Sequence, residues 1–495
     1  MKEILMLIIF FTLLLGTSHA VDDPLKGGMQ LYKKHRFEEA FNRIYGQLAE
    51  AESNRRDSTY LSLGMICLEN AKLYRELYRV SIIANLDYLT RLISDEGQSD
   101  SHLAKLYLGK TLLQTGELME SAGFFDTFIA EKKTGDRDRQ IAKIGLGTAY
   151  YLQGKLKRAD RCWAKLSTSD PQVMAALASA YNSVGLTEKE PVSIFIRSVD
   201  TQPDSGNKLV IQAVSDSIGV YAAAGLIDES FDLLKRADLK AFFHEETLAK
   251  NKTIRFYDPA LLQNLSLLYS QAGLKFLKEA GTSTEKKIRV PAKYYLSEGY
   301  ELFGKPDQAK QTVEEVLSSG GMPARITNRS KVRLAVMDHV LGNKQEAEKQ
   351  LNDLLKIKSD PDLVSEMLLS CCNHQIDYSQ AVISASAIAQ AGEGKPFANI
   401  NFALGKYYLW KKDYVKAVSF MEAGRDKSNK NRVEFNNLLM LVNLAEAYYH
   451  SKKFSEALEI FFEMSKHYPA VRQIQVTMQG VYSMEQQSAG DAKIF

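Results

Sequence analysis

The chain has 495 residues, 45% of them hydrophobic and 25% charged, a balance too apolar for a disordered chain and ordinary for a folded one. Its formal net charge is only +3, and no dense Lys/Arg run offsets that, so neither nucleic acid nor an anionic membrane surface is implied as a partner. Length alone suggests about three domains, but chains assembled from repeats grow by adding units and break that rule.

The N-terminus opens with Met1, Lys2 and Glu3 and then runs through Ile4–Leu15, interrupted only by Thr12. Twelve residues are too few to span a bilayer core, which needs roughly 20 apolar residues. Ser18 and Ala20 place small side chains at the −3 and −1 positions of a cleavage site. Residues 1–20 therefore read as a secretory signal removed after Ala20, with an uncleaved anchor as the alternative. That reading places the mature protein in a periplasm or outside the cell. No other segment has transmembrane length, so no integral span is expected after cleavage. The four cysteines, Cys67, Cys162, Cys371 and Cys372, are too few for a disulfide scaffold.

The rest of the chain repeats itself. Counting from Gly147, Tyr150 falls at +3, Gly154 at +7, Ala159 at +12, Trp163 at +16 and Pro171 at +24. Ala445 with Tyr448, Ala457, Phe461 and Pro469 has the same spacing, as does Gly405 with Tyr408, Ala417 and Met421. This pattern resembles the tetratricopeptide-repeat signature. On that register the anchors are Gly28, Gly64, Gly109, Gly147, Ala178, Ile218, Ser266, Ser297, Ala335, Leu369, Gly405, Ala445 and Ser483. The +3 site is Tyr in seven of the thirteen units and the +7 site is Gly in eight, an agreement at separate positions that extends the resemblance over nearly the whole mature chain.

Each position has a physical task. The anchor and +3 share one face of the first helix, helix A. Glycine at +7 (Gly116, Gly154, Gly185, Gly225, Gly273, Gly304 and Gly342) lets the chain leave that helix through a left-handed conformation. A small +12 residue lets the second helix approach, and a bulky +16 residue fills the space between the two. The resemblance implies an all-α, right-handed superhelical solenoid of about twelve antiparallel helix pairs with a C-terminal capping helix over Val471–Gln487.

Two units fit poorly. The Gly64 unit has Glu76 at +12, and its second helix is expected over Tyr78–Ile93. The Ser266 unit follows an extended stretch, Phe242–Asp258, and its second helix, Leu274–Glu279, is short. The superhelix is therefore expected to break there, dividing residues 21–255 from 256–495.

The sequence carries no catalytic signature. The chain lacks phosphate-cradling and dinucleotide-binding glycine motifs, a nucleophile elbow and a His-Glu-x-x-His pair. Cys371, Cys372 and His374 approach a zinc set, but neighbouring helix residues diverge by about 100° and Cys372 falls on the +3 packing slot. No metal and no cofactor are assigned, and the chain reads as a binding protein rather than an enzyme. Tyr150, Tyr181, Tyr221, Tyr269, Tyr300, Tyr408 and Tyr448 occupy +3 and read as core.

The family resemblance implies that a protein segment is held along the concave face built by the first helices. Offsets of −6, −3, +1, +4 and +5 from the anchors give Tyr151 in the Gly147 unit and Tyr294, Glu298 and Glu301 in the Ser297 unit. Further on they give Phe402, Lys406 and Trp410, then Glu446, Tyr449 and His450. Aromatic side chains among single charges suit protein recognition. Ile144, Ala175, Phe402 and Val442 stand at −3, so the clamp for an acidic chaperone tail is not carried over. The sequence thus suggests an exported scaffold that joins envelope proteins or extended peptide segments in an export, pilus or outer-membrane assembly. The alternative is a periplasmic carrier or sensor for a peptide, glycan or small ligand.

Overall fold

The hydrogen-bond pattern at the end of each first helix sets the architecture. In the unit anchored at Gly147, the Gly154 amide donates to the Tyr151 carbonyl at 2.9 Å and the Lys155 amide to the Tyr150 carbonyl at 2.9 Å. Gly154 has φ +75°, so these two bonds form a Schellman turn, which satisfies the last carbonyls of the helix. The longer-range bond, from +8 back to +3, recurs from Arg36 to Leu31, Glu117 to Leu112, Leu186 to Tyr181, Leu226 to Tyr221, Lys305 to Tyr300, Asn343 to Asp338, Asp413 to Tyr408 and Lys453 to Tyr448. Where +7 is not glycine, His35, Lys412 and Lys452 still adopt φ between 55° and 61°. The turn is kept even without the residue that makes it easiest.

The computed structural model describes residues 24–48, 55–94, 101–164, 169–186, 211–237, 259–320, 322–357, 361–391, 395–425 and 438–491, with the single residues 166 and 239. The signal stretch 1–20, the segment Phe242–Asp258, Pro191 and Pro203 lie outside them. Among the described residues there are 22 α-helices and no strand, so the chain has the all-α fold expected. Nine antiparallel pairs are complete. They are α1 (Pro24–Lys33) with α2 (Phe37–Tyr45), α4 (Ser101–Thr115) with α5 (Leu118–Ala130), α6 (Asp136–Leu152) with α7 (Leu156–Trp163), and α9 (Ile211–Ala223) with α10 (Ile227–Arg236). Next come α12 (Lys286–Leu302) with α13 (Pro306–Ser318), α14 (Ala324–Val340) with α15 (Lys344–Leu355) and α16 (Pro361–Asn373) with α17 (Ser379–Ala391). The last two are α18 (Lys395–Trp410) with α19 (Tyr414–Gly424), and α20 (Leu438–His450) with α21 (Phe454–Ser465). Helices α3 (Arg56–Ser94), α8 (Pro171–Ser183), α11 (Ala260–Gly281) and α22 (Arg472–Asp491) complete the set.

Within the pairs, the anchor lies against the +16 side chain. A methyl group added to Gly147 would lie 2.4 Å from the Trp163 indole nitrogen, and one on Gly405 2.4 Å from Met421 Cγ. On Gly28 it would meet Ile44 Cγ1 at 2.3 Å, and on Gly109 the Phe125 ring at 3.0 Å. The +12 residue closes the same contact: the Ser121 hydroxyl donates to the Gly109 carbonyl at 2.8 Å. Of the +3 tyrosines, Tyr221, Tyr269 and Tyr448 are buried, while Tyr150, Tyr181, Tyr300 and Tyr408 are half-buried.

Three local expectations are corrected. The separate helix over Tyr78–Ile93 does not exist, because α3 runs unbroken for 39 residues. Its +7 residue is Ala71, a helix former with no reason to turn left-handed. Likewise Gly273 is not a turn but lies inside α11, which is 22 residues long and absorbs the expected Leu274–Glu279 helix. Gly273 is needed for a helix crossing: a methyl group on it would come 3.2 Å from Leu68 Cδ2 and 3.3 Å from Cys67 Cβ. In α16 the turn bond runs from Ile376 to Cys371, so Cys371 and not Cys372 holds the +3 slot.

By packing the chain divides into two compact units, residues 1–70 with 272–441 and residues 71–271 with 442–495. This grouping departs from the sequential halves 21–255 and 256–495. The reason in the first unit is that the start of α3 packs on the end of α11, with Leu61, Met65 and Leu68 meeting Leu274, Leu277 and Ala280. Its other main core joins α13 to α18 around Val336, Met367, Leu368 and Leu404. In the second unit, Phe125 and Phe128 pack with Leu106, Ala142 and Leu146, and Trp163 packs with Ile144, Val173 and Leu177. The end of α3 is there joined to the C-terminal helices, described below.

Trp163→Ala should lower stability by about 3–5 kcal/mol, since Gly147 opposite it cannot fill the void. Gly154→Ala should cost about 1 kcal/mol from the left-handed backbone alone, because nothing lies within 4 Å of the added methyl. Denaturant melts of the two variants beside the parent check the ranking.

Candidate functional site

In the first unit, helical spacing brings charge from three successive first helices to one place. On α12, Tyr294, Ser297, Glu298 and Glu301 stand at intervals of three and four and so share a face. On α14, Arg325, Arg329 and Arg333 follow one another every turn. Asp362 and Glu366 do the same on α16, and His374 lies in the turn that follows it.

Arg333 is the hub, with a side chain only 8% exposed. Its Nε donates to Glu301 Oε2 at 2.9 Å. Its Nη1 donates to the Ser297 hydroxyl at 3.0 Å and to the Tyr294 carbonyl at 3.3 Å. Its Nη2 lies 3.3 Å from Glu298 Oε2, and the guanidinium sits over the Tyr294 ring, 5.0 Å from its centre. His374 Nε2 lies 2.8 Å from the other Glu301 oxygen. Toward the N-terminal ends of the helices the ladder continues: Arg325 Nη2 donates to Asp362 at 2.6 Å, Asn399 of α18 donates to the same carboxylate at 3.0 Å, and Arg329 lies 3.7 Å from Glu366.

Burial works against the charge of Arg333, but Tyr294, Glu298 and Glu301 outweigh it and hold the guanidinium above its usual value. Burial would raise the Glu301 carboxyl, yet the His374 hydrogen bond and the Arg333 charge prevail and hold it below its ordinary value. Burial pushes the Tyr294 hydroxyl up. A buried charge network of this kind holds its helices in register because removing one partner strands the others. It contains no activated nucleophile. Its outer members, Arg329, Glu298 and Glu366, are partly exposed and could meet charge on a bound chain.

The remaining sequence-selected residues of this unit lie on α18. Phe402 is buried; Lys406 and Trp410 are half-buried. Trp410 packs against the α16–α18 core, with the Lys411 ammonium 4.2 Å from the centre of its ring. Cys371 and Cys372 are buried in that core. Burial pushes both thiols up to about 12. Among the described residues no three His, Cys, Asp or Glu side chains form a group that could hold a metal ion.

The other four residues belong to the second unit. Tyr151 is half-buried, its ring 5.8 Å from that of Trp163. Glu446 is buried and accepts from Arg79 of α3. Arg79 also donates to Glu76 at 2.9 Å and to Asn443 at 3.1 Å. Burial lowers the Arg79 value, but Glu446 and Glu76 outweigh it and raise it overall. Tyr449 is buried and donates to Asp87 Oδ2 at 2.6 Å; burial first, and then that bond, push its hydroxyl well up. His450 is half-buried beside Tyr449, with ring centres 5.8 Å apart.

The structure thus joins Tyr294, Glu298 and Glu301 and supplies partners that sequence reading missed. Arg333 stands at −2 from its anchor, outside the offsets used, although arginines every fourth residue on α14 marked a charged face. Arg79 and Asp87 were missed because α3 was read as two helices.

No family model matches the chain, and no curated protein matches it. Among solved structures it aligns with the TPR domain of P58(IPK) at 15% identity, over 78% of this chain and 99% of that one, with a TM-score of 0.20. It aligns with yeast Tom70 at 14% identity, over 80% and 91%, with a TM-score of 0.27. It also aligns with the APC/C hetero-tetramer Cut9–Hcn1 at 13% identity, over 95% and 98%, with a TM-score of 0.27. The tetratricopeptide-like character of this chain rests on its own turns and anchor contacts.

Because the Glu301 carboxyl is depressed in the fold, its contribution to stability is complete above its ordinary value of 4.5 and is lost as pH falls below it. Glu301→Gln should therefore flatten the acid limb of a plot of Tm against pH. In the native protein a thiol reagent should modify Cys162, which is half-buried, and leave Cys67, Cys371 and Cys372 untouched until the chain unfolds. Time-resolved thiol titration with and without denaturant reads this directly.

Proposed function

We propose that the protein is an exported scaffold that holds envelope proteins, or extended segments of them, in an export, pilus or outer-membrane assembly. The observation that carries the reading is the partly exposed charge ladder on α12, α14, α16 and α18, which repeats polar side chains from one helix pair to the next. A rim of arginines and carboxylates of this kind favours orientation and encounter more than raw affinity. The apolar N-terminal stretch ending in Ala20 supports delivery out of the cytoplasm. No helix among the described residues is long and apolar enough to cross a membrane, and binding to other proteins needs none.

Affinity capture from an envelope fraction at native expression levels tests this reading. Co-purification of a defined set of envelope proteins is expected, and recovery of the chain alone would sink it. Thermal shift against glycans and short peptides separates the carrier reading: a ligand that binds only the folded state raises Tm by mass action, so a rise without captured proteins would favour a carrier.

A further inference from the structure

Helix α22 lies along the end of α3 within the second unit, and the two run in the same direction. Thr477 Oγ1 is 3.4 Å from Asn85 Oδ1. About one turn further, Gly480 faces Tyr88, where a methyl group would come 2.5 Å from a ring carbon. A little beyond, Arg91 Nη2 donates to Glu485 at 3.1 Å. The separation in sequence between these partners stays at 392 to 394, so the helices keep register along this stretch. One turn before Asn85 and Thr477, the same offset sets Ser81 opposite Gln473.

Both side chains are 1% exposed, and both carry atoms that no protein group satisfies: Ser81 Oγ, Gln473 Oε1 and Gln473 Nε2. Ser81, Asn85, Gln473 and Thr477 thus form a buried polar line, while Ile474, Met478 and Val481 on α22 are fully buried apolar residues. Buried polar atoms are almost always paired. The offset sets the hydroxyl and the amide opposite each other, and they make no direct hydrogen bond; a water between them could bond to both. A buried water needs two to four polar partners, and the three atoms supply both donors and acceptors.

We infer that the seam between α3 and α22 binds an ordered water between Ser81 and Gln473, so that the C-terminal helix closes on α3 partly through solvent. The water donates to Gln473 Oε1 or accepts from Nε2, and its remaining sites reach the Ser81 hydroxyl. Oxygen-17 magnetic relaxation dispersion on the full chain tests the site, because it counts waters held longer than the protein tumbles. Ser81→Ala with Gln473→Leu should reduce the dispersion amplitude by about one water relative to the parent. An unchanged amplitude would mean that the Gln473 amide turns to bond Ser81 directly, and the inference fails. If the double variant does not fold, Ser81→Ala alone removes one partner without adding volume. It should speed exchange of the same water, and an unaltered dispersion profile again overturns the site.

Discussion

The turn at the end of each first helix is the constraint on which the rest depends. Two backbone hydrogen bonds and one left-handed residue fix where the chain leaves helix A, and therefore where the +12 and +16 residues arrive on helix B. Trp163 meets Gly147 because Gly154 sends the chain back at that point. Had the turn slipped by one residue, the helix B face would rotate by about 100° and the indole would leave the core. That His35, Lys412 and Lys452 accept φ values near 60° to preserve the same turn shows packing outweighing local backbone preference.

The same argument explains which parts of the fold were legible. Wherever a left-handed turn, a small anchor and a bulky +16 residue coincide, as at Gly109, Gly147 and Gly405, the pattern is local and visible. It failed at Gly273 because glycine has two uses that look alike in sequence. One is to turn left-handed, and the other is to let a second helix close in, as Gly273 does against Cys67 and Leu68. It failed after Gly64 because a continuing helix is marked only by the absence of a turn. The pairing of the N-terminal stretch of α3 with the end of α11, more than two hundred residues away in sequence, has no local signature at all.

The candidate site was legible only in part for a related reason. Tyr294, Glu298 and Glu301 were found because they recur on one face of α12, but the partner that organises them comes from another helix. An offset rule describes one helix at a time and does not see Arg333 filling the space between three. The network also changes the meaning of the chosen residues. Glu301 is held by Arg333 and His374, Glu446 by Arg79 and Tyr449 by Asp87. The most buried charges therefore bind the protein to itself, and only the outer members of the ladder keep partly exposed charge.

The unbroken length of α3 has a consequence for how the gene can vary. Between helix pairs, extra residues can loop out, and the unequal spacing of the anchors records that freedom. Inside α3 nothing absorbs a change in length. One codon inserted between Arg79 and Asn85 would leave Arg79 facing Glu446 while swinging Asn85, Tyr88 and Arg91 about 100° away from α22. That stretch should accept substitutions far more readily than insertions or deletions, a pattern opposite to that of the turns between repeats.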